Sequence, residues 1–199
     1  NNTPVISSNN GLFIIADNQL KAFKIKTESF ALENTSLGLV IGGKGKVSIL
    51  NKQKIESILL PKRFSHAVIN DIKFSDGVLW LATSKGLIYL ENNQFYFPSS
   101  ITPLIELPTN KIYIDENNIL WVATDESTYR IKNRKLYMNN KQSQYSRVLE
   151  FMLDRDGTLW LGTSDKGLFQ LWDSWSARYN ELHGIEENLV WSVTGDRLT

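Results

Sequence analysis

Cysteine is absent from the 199 residues, which excludes a disulfide, a thiolate metal site and a Cys nucleophile within the chain. Such an absence suits a secreted or periplasmic protein that avoids stray pairing, although many cytosolic domains share it. Histidine is scarce: only His66 and His183 occur. A zinc centre with two histidines and no cysteine needs carboxylates to complete it, and nothing in the spacing supplies them, so no metal or other cofactor is expected. No apolar run reaches the roughly 18 residues of a membrane-crossing helix. Convincing helical periodicity is missing throughout, and Trp172–Glu187, the least regular stretch, has room for a turn of helix. No linker or low-complexity tract interrupts the chain, so one domain over 1–199 is expected. The start, Asn1-Asn2-Thr3-Pro4, has neither the basic nor the apolar region of a signal peptide and no Met. A processed or excised piece is the expectation.

An excess of one charge is also missing. Twenty-two Lys and Arg face 21 Asp and Glu, a formal charge of +1, so nothing global directs the chain to nucleic acid or an anionic membrane. The distribution is uneven: residues 1–66 hold nine basic and four acidic residues, and 147–199 hold five and nine. Exposed charges attract weakly through water and salt, so oppositely charged ends would bias a ring closure rather than drive it.

What the chain does have is a repeat. Phe151-Met152-Leu153-Asp154-Arg155-Asp156-Gly157-Thr158-Leu159-Trp160-Leu161-Gly162-Thr163 is followed by Gly167-Leu168-Phe169. Ile72–Thr83, then Gly86-Leu87-Ile88, repeats it around Trp80, and Ile112–Thr124, then Thr128–Ile131, repeats it around Trp121. Two weaker copies upstream put Val40 and Pro4 at the Trp position, giving spacings of 36, 40, 41 and 39. Each copy reads as a short apolar strand, a turn of Asp, Asn and Gly, a strand apolar on both faces, a second turn, a third strand and a more amphipathic fourth. A small residue two places after the Trp (Ala82, Ala123, Gly162) predicts close approach of a neighbouring sheet. Four short antiparallel strands per 40 residues is the period of a β-propeller blade. The expected fold is therefore all-β, a propeller of about five four-stranded blades. Either Leu189–Val193 forms a strand that closes the ring beside Pro4–Ile6, or the chain is part of a larger propeller.

The unit Asp154–Thr163 with Gly167-Leu168-Phe169 resembles the two-component regulator propeller repeat, roughly Asp-x-x-Gly-Asn-Leu-Trp-Ile-Gly-Thr and then Gly-Leu-aromatic. Ser75–Leu90 is nearly as similar, and Asp115–Ile131 has Asn118 in place of Gly. The resemblance implies a periplasmic sensor propeller of a hybrid histidine kinase or a GGDEF-type diguanylate cyclase, non-catalytic itself. It implies a small-molecule or carbohydrate ligand and an output signalling domain in the same parent polypeptide. The repeat's own motif residues carry the fold and no binding role.

Ligands of propellers meet the second-to-third-strand turns and the inter-blade connections, which share one end of the sheets. The candidates there are Arg63, His66, Lys85, Asp125, Glu126, Tyr145, Asp165, Lys166 and His183, with Trp175 and Tyr179 as an aromatic platform beside a connection. Trp80, Trp121 and Trp160 read as core residues. The acidic turns at Asp115 and Asp154 are similar to calcium loops but lack the further oxygen ligands. Neither a phosphate loop nor a Gly-x-Ser-x-Gly elbow is present; Gly42-Gly43-Lys44-Gly45 leads into no helix. Tyr129–Tyr137 interleaves basic and aromatic residues but reads as a hairpin, so nucleic acid is not an expected partner. A homodimer is a further expectation if strand edges are open. The competing functions are a propeller-scaffold enzyme, a polysaccharide or lactone lyase or hydrolase using His66 or His183, and a protein-interaction scaffold.

Overall fold

The computed structural model describes residues 4–8, 10–16, 19–22, 28–52, 54–97, 106–140, 147–156, 158–171 and 176–194. The chain divides into two compact units, Asn1–Phe97 and Pro98–Thr199. Both are built from antiparallel sheets, as the alternating strands and turns require.

In the first unit, β1 (Val5–Ser8), β2 (Gly11–Ala16) and β3 (Gln19–Ala22) form a three-stranded sheet. A four-stranded blade follows: β4 (Ala31–Thr35), β5 (Gly38–Gly42), β6 (Lys46–Asn51) and β7 (Lys54–Leu59). The next holds β8 (Ile69–Ser75), β9 (Val78–Thr83), β10 (Gly86–Glu91) and β11 (Gln94–Tyr96). The second unit has two blades. One is β12 (Thr109–Ile114), β13 (Leu120–Thr124), β14 (Thr128–Lys132) and β15 (Lys135–Asn140); the other is β16 (Val148–Leu153), β17 (Leu159–Thr163), β18 (Leu168–Leu171) and β19 (Ser176–Tyr179). Five sheets with one strand order make the chain a run of propeller blades. The hairpin expected at Tyr129–Tyr137 is β14–β15, turned through Asn133 and Arg134, both at positive φ.

Burial follows the strand's place in the blade. Every residue of β9 and β13 is buried, in keeping with the doubly apolar pattern of these second strands. Outer β7 is almost wholly exposed, and its Lys54 and Glu56 suit an edge that must not recruit another strand. In the first unit, Val40, Val47, Ile69, Ile72, Leu79 and Leu81 form one core between adjacent blades. In the second, Trp121, Val148, Phe151, Leu161 and Phe169 do the same. Trp80 and Trp121 are buried as expected, whereas Trp160 is half-buried.

The Asp that opens two of the repeats has a structural task. Asp154 Oδ1 accepts from the backbone N–H groups of Asp156 and Thr158, and Oδ2 accepts from Trp160 Nε1 at 2.8 Å. Asp115 does the same with Asn117, Ile119 and Trp121 Nε1, the last at 2.9 Å. One carboxylate thus closes the turn and satisfies the indole. The Trp80 copy turns differently: Ser75 pairs with Val78 across Asp76 and Gly77 at φ 51 and 75, a two-residue hairpin. Burial pushes the Asp154 carboxyl up, but the bonds from Trp160, Thr158 and Asp156 outweigh it and hold it below the usual carboxylate range.

Thr83, Thr124 and Thr163 end their strands alike. Each Oγ1 donates to the carbonyl of Gly86, Ser127 or Gly167 and accepts a backbone N–H from within the turn. Ser8 does this with Gly11 and Asn10, and Val5 pairs with Ile14 as Trp80 pairs with Tyr89. Val5, not Pro4, therefore stands at the Trp position of the first copy. Only a serine and the turn after it mark that copy, and with Ser7 and Ser8 adjacent the sequence does not separate the two registers.

Inter-blade junctions also repeat. The N–H of Ile69 bonds the carbonyl of Gly43 at 3.2 Å, that of Ser29 bonds Ser8 at 3.3 Å, and that of Val190 bonds Thr163 at 2.7 Å. Gly42 and Gly162 are the small residues these entries cross. A Cβ on Gly42 would lie 2.6 Å from Ile69 Cγ2, and one on Gly162 would lie 2.9 Å from the carbonyl oxygen of Val190. Residues 188–190 thus enter as the start of another blade. The strand expected at Leu189–Val193 does not form, however, and 189–194 are irregular. A first strand is held by the second strand of its own blade, and among the described residues none pairs with this segment. Among the described residues of 172–187, the expected turn of helix is the 3-10 turn Glu181–His183.

Candidate ligand-binding loops

Because strands alternate in direction, the second-to-third-strand turns and the inter-blade connections lie at the same end of each unit's sheets. In the first unit this end is tightly tied. Lys44 bridges Val68, Gly45 N–H bonds Ala67 at 2.8 Å, and Leu60 N–H bonds Gly45 at 2.9 Å. The connection runs through a 3-10 turn, Lys62–Phe64, whose Phe64 is completely buried. Gly45 has φ +69, and a Cβ there would sit 2.1 Å from the Ser65 carbonyl oxygen, so only glycine permits this approach. On the other side, Ser84 N–H bonds Val68 at 2.9 Å and Ser84 Oγ accepts from Val68 N–H at 3.0 Å. Lys85 Nζ donates to the Arg63 carbonyl at 3.4 Å. The structure therefore gathers Arg63, His66 and Lys85, all exposed, around one connection.

At the corresponding end of the second unit, Asp125 accepts from Asn110 Nδ2 at 2.8 Å and lies 3.3 Å from Arg147 Nε. It ties the β13–β14 turn to the strand entries on either side. Glu126 is exposed, with its N–H bonded to Thr124 Oγ1. Asp165 and Lys166 occupy the β17–β18 turn, and the Lys166 carbonyl accepts from Arg178 Nε at 2.8 Å. The next connection is built by Asn180, which caps the 3-10 turn, and by Asn188, whose side chain bonds Glu181 at both the carboxylate and the backbone. His183 Nδ1 lies 3.0 Å from Asn180 Oδ1. Its ring and that of Tyr179 meet in a T-shaped arrangement with centroids 5.7 Å apart.

Tyr179 is half-buried, tilted against Trp160 at 5.9 Å, with its hydroxyl on Gln170 Oε1 at 3.1 Å. It packs on its own blade rather than standing out as a platform. Trp175, its expected partner, and Tyr145 lie outside the described residues. No group of three or more His, Asp or Glu able to hold a metal ion occurs among the described residues. Lys44 and Lys62, both exposed at this end, have no place among the sequence-derived candidates, since only the bonds through Val68 and Arg63 tie their segments to the turn of Lys85. The absence of Asp and Glu from 42–55, 57–70 and 77–90 was the available signal.

A family profile described as two component regulator propeller matches residues 143–165. Comparison with curated proteins finds no match. Among solved structures, the extracellular domain of the hybrid two component system BT3049 from B. thetaiotaomicron superposes with a TM-score of 0.82 at 15% identity. The match covers 98% of this chain and 29% of that one. The extracellular domain of BT4673 from the same organism gives 0.77 at 16% identity, with the same two coverages. Streptogramin B lyase gives 0.65 at 17% identity, covering 89% of this chain and 67% of its own. These likenesses establish the propeller fold, and the chain spans under a third of the length of those two extracellular domains.

Proposed function

We propose that this chain is part of the extracytoplasmic, ligand-sensing propeller of a bacterial signal-transduction receptor and performs no catalysis itself. The observation that carries the reading is the match of residues 143–165 to the two component regulator propeller repeat, in phase with the copies at Trp80 and Trp121. The fold likeness to extracellular domains of hybrid two component systems supports it. The ligand, a small molecule or carbohydrate, meets the turn end of the sheets. Binding shifts the population of blade packing or of a dimer, and an output domain of the parent polypeptide reads that shift. A thermal-shift screen against oligosaccharides tests the binding step. A ligand present at 100 times its Kd should stabilise the chain by about 2.7 kcal/mol. A panel without any shift, combined with tight capture of a protein partner, would favour an interaction scaffold instead.

One observation favours a second reading: a lyase shares the fold. An enzyme on these blades would draw on His66 or His183. Turnover of a polysaccharide or lactone that disappears in His66→Ala or His183→Ala would establish it over the sensor reading.

A further inference from the structure

We infer that copies of this chain associate by strand complementation: residues 189–194 of one copy add to the first sheet of another as its first strand. The inference goes beyond the sensing reading and depends on no ligand.

The acceptor is the inner edge of β1. Four sheets have four strands, and the first has three, β1–β2–β3. Val5 pairs with Ile14 as Trp80 pairs with Tyr89, so β1 is a second strand. Among the described residues no first strand lies beside it. Ile15 N–H bonds the Pro4 carbonyl at 3.1 Å, so the alternate residues Val5 and Ser7 turn their N–H and C=O groups away from β2. Ile6 is 42% exposed, whereas its counterpart Leu81 is completely buried. Outer β7 carries Lys54 and Glu56, but β1 has no charge to discourage an incoming strand.

The donor is already set in the register of a first strand. Gly167 N–H bonds the Asn188 carbonyl, and Val190 N–H bonds the Thr163 carbonyl, both at 2.7 Å. The same two bonds, from Gly45 to Ala67 and from Ile69 to Gly43, lead into β8. Val190 therefore takes the place of Ile69. Three first strands bulge just after this entry, at Ile69, Thr109 and Val148, and Trp191, 72% exposed, falls at the bulge. Carrying the β8–β9 register over sets Val190 opposite Ser8, Ser192 opposite Ser7, Val193 opposite Ile6 and Thr194 opposite Val5. Val193 then packs beside Ile6 as Ile72 packs beside Leu81. Within one chain 189–194 pairs with no described strand, so the edge it completes is that of a second copy. Each copy carries one donor and one acceptor, which makes the contact head to tail.

The absence of cysteine makes this register testable in the whole chain. Ile6→Cys and Val193→Cys chains are mixed and oxidised, and peptide mass spectrometry should find a disulfide between positions 6 and 193. That pair is directly opposite and not bridged by hydrogen bonds, which brings its Cα atoms within disulfide reach. Ser7→Cys in place of Ile6→Cys points to the other face and should cut the yield about tenfold. Wild type should sediment as two or more copies and dissociate on dilution. Thr194→Pro removes the N–H that would bond Val5 and should weaken association about tenfold or more. Leu59→Ser, which removes an exposed apolar side chain from the outer edge, should leave association unchanged. A monomer at every concentration would overturn the inference, as would association that Thr194→Pro leaves untouched and that yields no such disulfide. Oxidation of Ile6→Cys/Val193→Cys to a monomer with an internal bond would show closure within one chain and would overturn it too. Each of these outcomes leaves the sensor reading intact. Circular dichroism melting of every variant separates loss of fold from loss of association.

Discussion

Asp154 and Trp160 illustrate how a short motif becomes a structural joint. The carboxylate accepts three hydrogen bonds, two from the turn's backbone and one from the indole. Bonds to a charged acceptor exceed neutral ones, so Asp154→Ala should cost about 1–3 kcal/mol in urea unfolding. Trp160→Phe should lose part of that, and the two should be non-additive in a double-mutant cycle. The depressed carboxyl also sets a pH dependence. Its folded pKa lies below the unfolded value of about 3.9, so its contribution is complete above that pH and lost as pH falls through the folded value. The wild-type melting temperature should therefore fall more steeply below pH 4 than that of Asp154→Asn. Parallel slopes for the two proteins would refute the assignment.

Blades are joined by entries that cross a small residue. Gly42 lies under Ile69 in the first unit, and Gly162 under Val190 in the second. Gly42→Ala must displace a buried side chain and should cost about 1–3 kcal/mol, typical of overpacking. Gly45→Ala should cost at least as much, because the obstacle is the Ser65 backbone and φ is positive. Its effect should also reach the ligand end, since the Gly45 N–H and carbonyl anchor the connection bearing Lys62 and His66. Chemical denaturation measures the first effect, and ligand titration of the folded fraction measures the second. Salt bridges between first strands of adjacent blades, Lys73–Glu33 and Lys111–Glu150 at 3.2 Å, are part-exposed and contribute only about 0.2–1 kcal/mol each. Packing across the blades, rather than charge, carries the stability at these joints.

At the scale of the whole chain, the near-neutral total conceals two units of opposite sign. Residues 1–97 hold 11 basic and seven acidic residues, and 98–199 hold 11 and 14. A ligand that is anionic should therefore be read by the first unit, and the salt dependence of its binding should be unaffected by Asp125→Asn or Glu126→Gln in the second. A titration series at three salt concentrations checks this. The chain spans under a third of the two extracellular domains it superposes on, so under the proposed sensing role an output depends on the rest of the receptor. Binding by this chain alone should change its stability without producing any output.

The sequence by itself determined the blade number, the strand order and the core tryptophans at positions 80 and 121. A repeat writes the same local instructions several times: turn chemistry and a doubly apolar second strand fix each sheet without reference to distant residues. It also marked Arg63, His66 and Lys85 by their place at the turns. Tertiary structure decided the rest. The one-residue correction to Val5 came from a hydroxyl's bonding partners, which Ser7 and Ser8 do not reveal as letters. The β-bulges after Ile69, Thr109 and Val148 have no signature in composition. Leu189–Val193 has the apolar pattern of a strand yet stays irregular, because a strand exists only through the neighbour that pairs with it. For the same reason Lys44 and Lys62 joined the candidate site only after folding: the bonds of Gly45 to Ala67, Ser84 to Val68 and Lys85 to Arg63 tie their segments together, and no local pattern encodes that meeting.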